Sequence, residues 1–451
     1  MTDDFRFAPV DQTSADRFAA SGLRAALVDT SGAVYGEEPP ANPEFDAWLQ
    51  AGWRGFHSDV LDENRLASFR AGYGYRRILG VYDDALPLEE PARWPVGTVA
   101  SWPGELTVPG ETVLPAWAIS SVSVAPTHRG RGIARALLEG ELRTAAALNL
   151  PMAMLTVSES TLYERYGFAP AALSSEYRIE NRRGHWAGPV PSGTVQFVTI
   201  PQFRTEVEQK YADWRLLSPG QMEMWGGRWD QIAGLGPPEE DGHKHLRAVR
   251  YLDEASVTRG LAIYRVKENH EDFTKNALEV RRLLTETPDA YAALWRFLLE
   301  QPLVSEVVAD LRPVDEPLRW MWSDWRAITV TTTDHLWLRV LDVAASFEER
   351  SYVTAGSLGL DVSDDLGFAA GRWLLEVEPS GDVNVTQLEE FPNAVPALAL
   401  DVAPLSALYL GGVAATTLAD AGRVTELTPG AATAADTLLR AARPPWLAVW
   451  F

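Results

Sequence analysis

The chain has 451 residues, no cysteine, a formal net charge of −22 and a hydrophobic fraction of 46%. That length is too great for one ordinary core and predicts about three domains, while the lack of cysteine excludes disulfide frameworks, thiolate metal sites and cysteine nucleophiles. The acidic balance argues against nucleic-acid binding, which needs cationic side chains to displace phosphate counterions, and fits either cationic partners or plain solubility.

No apolar stretch reaches the ~20 residues of a membrane span, and Met1-Thr2-Asp3-Asp4-Phe5-Arg6 lacks the basic, apolar pattern of a secretion signal. The expectation is therefore a cytoplasmic protein. Residues 1–50 are loosely patterned, interrupted by Gly36-Glu37-Glu38-Pro39-Pro40, and read as a mobile or loosely docked extension. Periodicity then predicts a helix over 46–56 and strands over 75–81 and 96–101.

The most informative stretch follows: Val122-Ser123-Val124-Ala125-Pro126-Thr127-His128-Arg129-Gly130-Arg131-Gly132-Ile133-Ala134 reads as a strand, a glycine-arginine loop and a helix start. Gly130 and Gly132 allow a tight turn that brings backbone N–H groups to phosphate oxygens at the positive end of the helix, and Arg129 and Arg131 add charge. Ile133, Leu137 and Leu138 give the helix an apolar side, leaving Arg135, Glu139, Glu141 and Arg143 at solvent-compatible positions. An arginine-rich turn with no ligand is the competing reading. A short strand over 151–157 comes next, and then Ser158-Glu159-Ser160-Thr161-Leu162-Tyr163-Glu164-Arg165-Tyr166-Gly167-Phe168. Together the two segments resemble the GNAT superfamily of N-acetyltransferases, which implies a catalytic domain over residues 1–175.

A Gly/Pro break over 184–193 opens a second unit. Residues 260–266 and 278–284 read as neighbouring strands, followed by a helix that Thr287 caps, Pro288 starts and Tyr291, Leu294, Trp295 and Leu298 anchor. The strand-to-helix order repeats the first unit, but Thr285-Glu286-Thr287-Pro288-Asp289 has neither glycine nor arginine, so this copy, 176–325, is expected to be catalytically silent. A third region, 326–451, opens with the strand 336–343. It carries a further strand over 397–402 and a helix over 403–409, and ends in an apolar strand over 446–451.

The whole arrangement resembles the Eis (enhanced intracellular survival) family of GNAT acetyltransferases. The resemblance rests on Glu105-Leu106-Thr107-Val108-Pro109-Gly110, the 122–134 segment, Ser158-Glu159 with Tyr163, Ala293-Leu294-Trp295-Arg296, Leu336-Trp337-Leu338-Arg339, Leu408-Tyr409-Leu410-Gly411 and terminal Phe451. It implies an α/β (α+β) architecture of tandem GNAT domains followed by a sterol-carrier-protein-like domain that supplies the catalytic C-terminus. It also implies acetyl-CoA as co-substrate, no metal, an amine acceptor and a homo-hexamer. Two departures stand out. Gly130 replaces a basic residue of well-known members, and Ser121 and Trp450 stand where relatives often carry an aromatic and an acidic residue.

In the GNAT manner, the Val122-Ser123-Val124 strand is expected to be splayed from its neighbour, to bind pantetheine amides and to polarise the thioester carbonyl through an N–H near Val122 or Ser123. Tyr163 is the expected general acid, a phenol of ordinary pKa about 10; a core tyrosine is its bland reading, and Tyr166 is the backup. The resemblance assigns the general base to the α-carboxylate of Phe451. Its ordinary pKa of about 3.5 would rise with burial in an apolar tail, and a strand that merely ties down the chain end is the alternative. Asp59 is the acidic candidate for the amine pocket, though a solvated helix end explains it equally well. His243-Lys244-His245 reads as a surface loop more readily than as a metal site, and His128 as structural. Polycationic acceptors (aminoglycosides, polyamines, lysine-bearing peptides) are the expected amines and fit the acidic charge. The rival class is a lipid-binding or regulatory module with a CoA-sensing GNAT domain.

Overall fold

The computed structural model describes residues 5–86, 89, 93–225, 227–236 and 242–451. Strands β1 (Arg24–Leu27), β2 (Arg77–Tyr82), β3 (Gly97–Val108), β4 (Thr112–Val124), β5 (Met152–Thr156) and β6 (Ala169–Ile179) come from the first unit. From the second come β7 (Thr194–Val198), β8 (Leu246–Leu252), β9 (Thr258–Lys267), β10 (Asn276–Thr285), β11 (Val304–Arg312) and β12 (Ile328–Val340). All of them join one twelve-stranded sheet in the order β1-β2-β3-β4-β5-β12-β6-β11-β10-β9-β8-β7.

Each unit is an antiparallel meander whose fourth strand pairs in parallel with its fifth, β4 with β5 and β10 with β11, across a helix (Ile133–Ala147 and Pro288–Leu299). The last strands are exchanged. β12 lies between β5 and β6, and β6 also pairs with β11. The strand expected over 336–343 to open the third region instead spans Ile328–Val340 and completes the shared sheet. The alternation of Leu336, Trp337 and Leu338 specifies a buried strand but not the sheet that receives it.

The third region forms a five-stranded sheet, β15-β14-β13-β16-β17, from β13 (Gly356–Ser363), β14 (Gly371–Val377), β15 (Val383–Leu388), β16 (Ala397–Asp401) and β17 (Val424–Glu426). The helix expected over 403–409 spans Val402–Leu408, capped by Asp401. Leu360, Leu398 and Leu405 share one core with Leu106, Met154 and Leu338 of the large sheet. Among the described residues, no helix is long and apolar enough to cross a membrane.

Several expectations change. The N-terminal stretch is docked: Asp11 caps the helix Gln12–Ala20, β1 pairs with β2, and Phe18 and Leu23 enter the core. These elements are too short to show a period between turn residues. The helix expected over 46–56 starts earlier, at Pro43, with Asn42 as its cap. Glu139 and Glu141 are buried rather than solvated, because each meets donors. Arg17 and Arg135 bond Glu139, while Arg77, Ser101 (2.6 Å) and Trp117 (3.1 Å) bond Glu141. Residues 446–451 form no strand. Their backbone is met by side chains and a loop carbonyl: Trp446 N–H donates to the Pro219 carbonyl (3.0 Å), Gln221 Nε2 to the Trp446 carbonyl (2.8 Å) and His335 Nε2 to the Val449 carbonyl (2.9 Å). The helix after Thr287 forms as expected, spanning Pro288–Leu299.

Candidate active site

The site begins where β4 leaves its neighbours. β4 pairs with β5 only through Ala116–Ala118, opposite Met152–Met154, after which the strands part. On its other side β4 bulges: Thr98 faces Ser123 and Ala100 faces Ser120, so Ser121 and Val122 share one partner position. Ser121 takes φ +53°, a conformation held by the Thr98 hydroxyl, which donates to the Ser121 carbonyl (2.8 Å) and lies 2.7 Å from Ser123 Oγ.

The glycine loop follows. Gly130 and Gly132 have φ +78° and +75°, and a Cβ on either would meet no atom within 4 Å, so the backbone conformation demands glycine and the space before the loop is open. Gly132 begins Ile133–Ala147 with no side-chain cap, which leaves the first-turn N–H groups free for an anion. A cleft of about 850 Å³ runs past Val122, Ser123, Val124, Arg129, Gly130, Gly132, Ile133 and Ala134. This donor set fits a diphosphate. The Arg131 side chain does not line the cleft. It donates to the Ser21 carbonyl (2.6 Å) and pairs with Asp83 (3.4 Å), while Arg135 and Arg165, not anticipated, take places on the wall. His128 is buried between Asp83 (3.1 Å) and Thr127 (2.8 Å).

Tyr163 lies between two 3₁₀ turns, Ser160–Leu162 and Glu164–Tyr166. Gly167 closes them at φ +84°, with Arg339 Nε and Val402 Cγ1 both 2.7 Å from where a Cβ would stand, so no other residue fits. Arg339 Nε donates to the Tyr166 carbonyl (3.1 Å) and fixes the turn. The Tyr163 ring is 7% exposed and meets Phe168 edge-on. Burial pushes its pKa up to about 12, with the charges of Glu159 and Tyr166 adding to the shift, where an ordinary phenol was expected.

A second cleft of about 710 Å³ lies on the other side of that phenol. Phe56, Val122, Ser158 and Tyr163 line both clefts, so the two meet at Tyr163; Tyr166 lines only the first. Ser121, Trp450 and Phe451 line the second cleft, as do Arg76, Arg228, Arg281, Arg282 and Asp310. Asp59 is exposed and lines neither: the chain after Phe56 turns out to solvent, and the acidic residue on the wall is Asp310 of β11. The contributions from the second unit were missed because residues so far apart in the chain meet only through the strand exchange.

The tail reaches this cleft through the second unit. β10 bulges at Arg281 against β9, and its pairing with β11 stops at Val280 opposite Ala309, repeating the parting of β4 and β5. Here the gap is closed. Residues 280–284 and 310–312 surround Trp446 and Ala448, leaving about 10 Å³. The second copy's helix start is also closed, since Thr287 Oγ1 accepts from Ala290 N–H (3.2 Å). Beyond the gap, the Thr156 hydroxyl donates to the Phe451 carbonyl oxygen (3.0 Å), and the Phe451 ring stands edge-on to Trp102 (5.8 Å). His243, Lys244 and His245 lie in a 3₁₀ turn, and among the described residues no group of His, Cys, Asp and Glu could hold a metal.

Residues 39–171 and 220–340 each match a family model of the acetyltransferase (GNAT) domain, and residues 343–448 match that of a sterol carrier protein domain. An uncharacterized N-acetyltransferase of Streptomyces avermitilis is 33% identical over 416 residues, covering 90% of this chain and 96% of that protein. The N-acetyltransferase Eis of Mycobacterium tuberculosis is 33% identical over 328 residues, 71% of this chain and 76% of its own. The crystal structure of Eis1 from Mycobacterium abscessus superposes with a TM-score of 0.74 at 27% identity, covering 90% of this chain and 97% of that one. Two GNAT domains followed by a sterol-carrier-type domain thus account for the architecture.

Proposed function

Because the chain belongs to the Eis family of GNAT N-acetyltransferases, we propose that its substrates are acetyl-CoA and a primary amine, brought together at Tyr163. One observation carries this reading: the cleft with the open helix start and the cleft holding the tail share the Tyr163 wall. Acetyl-CoA supplies an activated acetyl thioester. The uncapped N–H groups after Gly132, with Arg129 and Arg135, hold its diphosphate, and the unpaired edge of β4 at Val122, Ser123 and Val124 takes the pantetheine amides. A backbone N–H at the Ser121-Val122 bulge polarises the thioester carbonyl. The Phe451 carboxylate accepts the ammonium proton, the amine nitrogen bonds to the acetyl carbon as the C–S bond breaks, Tyr163 gives its proton to the departing thiolate, and the second proton, shed by the nitrogen as the amide forms, restores the phenol. Membership in an N-acetyltransferase family sets the lipid-carrier reading aside.

The acidic net charge would concentrate polycationic amines such as aminoglycosides, polyamines or lysine-bearing peptides near the surface, an effect on encounter that is separate from the fit inside the cleft. The hexamer that the resemblance implies has an exposed apolar surface available in Trp320 and Trp325, whose rings stand 4.6 Å apart; light scattering should then give about six times the chain mass. The decisive assay is release of CoA thiol from acetyl-CoA across a panel of primary amines, with the acetylated product weighed by mass spectrometry. Amine-dependent release is expected. Release no faster with any amine than in buffer, from protein that binds the coenzyme, overturns the reading.

A further inference from the structure

We propose that the acceptor amine carries an anionic group, a carboxylate or a phosphate, on an aromatic or apolar body, and that Arg228, Arg281 and Arg282 receive that group. The inference rests on the acetyl-transfer reading above and specifies its second substrate; the bond changes are those already written, C–N formed and C–S broken.

The charges on the wall of the acceptor cleft motivate it. Arg76, Arg228, Arg281 and Arg282 come from separate parts of the chain and converge there, against Asp310 and the chain end at Phe451. Among the described residues none of the four forms an ion pair. Three buried arginines elsewhere are matched by carboxylates, Arg77 with Glu141, Arg312 with Glu316 and Arg339 with Asp364, while Arg350 is held by the Tyr409 and Leu439 carbonyls. The cleft arginines are held instead by neutral groups, which orient a guanidinium without cancelling its charge. Arg76 lies 4.0 Å from the Tyr73 ring centroid and 4.2 Å from that of Trp102, and donates to Tyr75 Oη. Arg228 lies over Trp225 at 5.4 Å and donates to Gln231 Oε1 (3.0 Å), and Arg282 donates to the Arg281 carbonyl. The Nε groups of Arg228 and Arg282 are buried with no partner.

Among the described residues Asp310 is the one side-chain carboxylate lining the cleft with these guanidiniums, and cationic groups gathered away from water in excess of their counter-charge are costly unless something anionic completes them. The strain shows in their acidity. Burial, chiefly, and the neighbouring guanidiniums lower the pKa of Arg228, and burial followed by the charge of Arg228 lowers that of Arg282 to about 9. The coenzyme's phosphates do not supply the missing charge, because the phosphate loop lies on the far side of Tyr163 with its own Arg129 and Arg135. The same cleft has an aromatic wall: Trp53 and Phe69 are 4.2 Å apart, with Tyr73 at 6.1 Å from Phe69. An amine at Tyr163 and Phe451, a ring against this wall and an anion among the guanidiniums all fall within the one cleft. A second ammonium in place of the anion would face like charge.

The test uses the wild-type chain and phenethylamines that differ only in the para group: hydrogen, carboxylate, phosphate ester or aminomethyl, with spermidine as a polycation. kcat/KM from thiol release is expected to be about tenfold to a hundredfold higher for the carboxylate or phosphate than for the parent amine, with aminomethyl and spermidine slowest. Whichever of the two anions leads identifies the natural group. Arg281→Gln and Arg228→Gln should each pull the anion-to-parent ratio toward unity. Equal rates across the para series, or preference for aminomethyl or spermidine, overturns this inference and leaves acetyl transfer standing. Silence with every amine overturns both. The wild-type series alone decides should a variant fail to fold.

Discussion

Tyr163 combines two properties that would conflict on an exposed side chain: its ring is buried, and its edge faces both clefts. With its pKa pushed up to about 12 it stays protonated throughout the neutral range, which suits the donor role proposed for it and should add no alkaline limb to the rate below about pH 10. Tyr163→Phe keeps the ring and its contact with Phe168 but removes the proton. It should lower kcat by about 10²-fold or more, with coenzyme affinity by titration calorimetry little changed; a near-normal kcat would make the residue a core tyrosine. Deleting Phe451 should suppress turnover similarly and spare coenzyme binding, since the tail lines the second cleft and not the one at the glycine loop. At this scale the glycine loop and the Leu-Tyr-x-x-x-Gly-Phe segment were legible, because φ near +75° and a close approach at Gly167 leave the residue type no freedom. The direction of the Arg131 side chain was not. It depends on the Ser21 carbonyl and Asp83, which distant segments place beside it.

Helices with a strong local signal were the readable elements: Thr287, Pro288 and the stripe after them determine a start and a buried side on their own. The tail was misread because an apolar run says that a segment is buried, not what its backbone bonds to. What it bonds to gives it a pH dependence. His335 is buried, donates from Nε2 to the Val449 carbonyl and leaves Nδ1 without a partner, and burial, above all, lowers its pKa to about 4. The folded state therefore resists a proton that the unfolded chain accepts near pH 6.5. Its contribution is complete above that value and is lost as pH falls toward 4, by up to roughly 3 kcal/mol. His335→Gln keeps a donor for Val449 without a titrating ring. Thermal scans from pH 7 to pH 4 should show a shallower decline in the variant than in the wild type; parallel curves would remove His335 from the acid sensitivity of the tail.

Strand exchange makes the two GNAT units one folding body. The repeated strand-to-helix order made the tandem arrangement legible, but no local feature of residues 328–340 reveals that they pair with β5 and β6. Without β12, β5 keeps only its short parallel contact with β4, and β6 is left with β11. The core beneath the first sheet is likewise shared with the third region, where Leu447 and Val449 pack with Met154 and Leu338. None of the three can expose its neighbour's face without exposing its own, so unfolding should be cooperative across all of them. Calorimetry of the full chain should give one dominant transition, and a chain stopped at residue 325 should lose soluble expression, because it ends before the strand that seals the central sheet. Well-separated transitions, or a truncated chain that still binds acetyl-CoA, would mean that each unit completes its own sheet, with the exchanged strands a later embellishment.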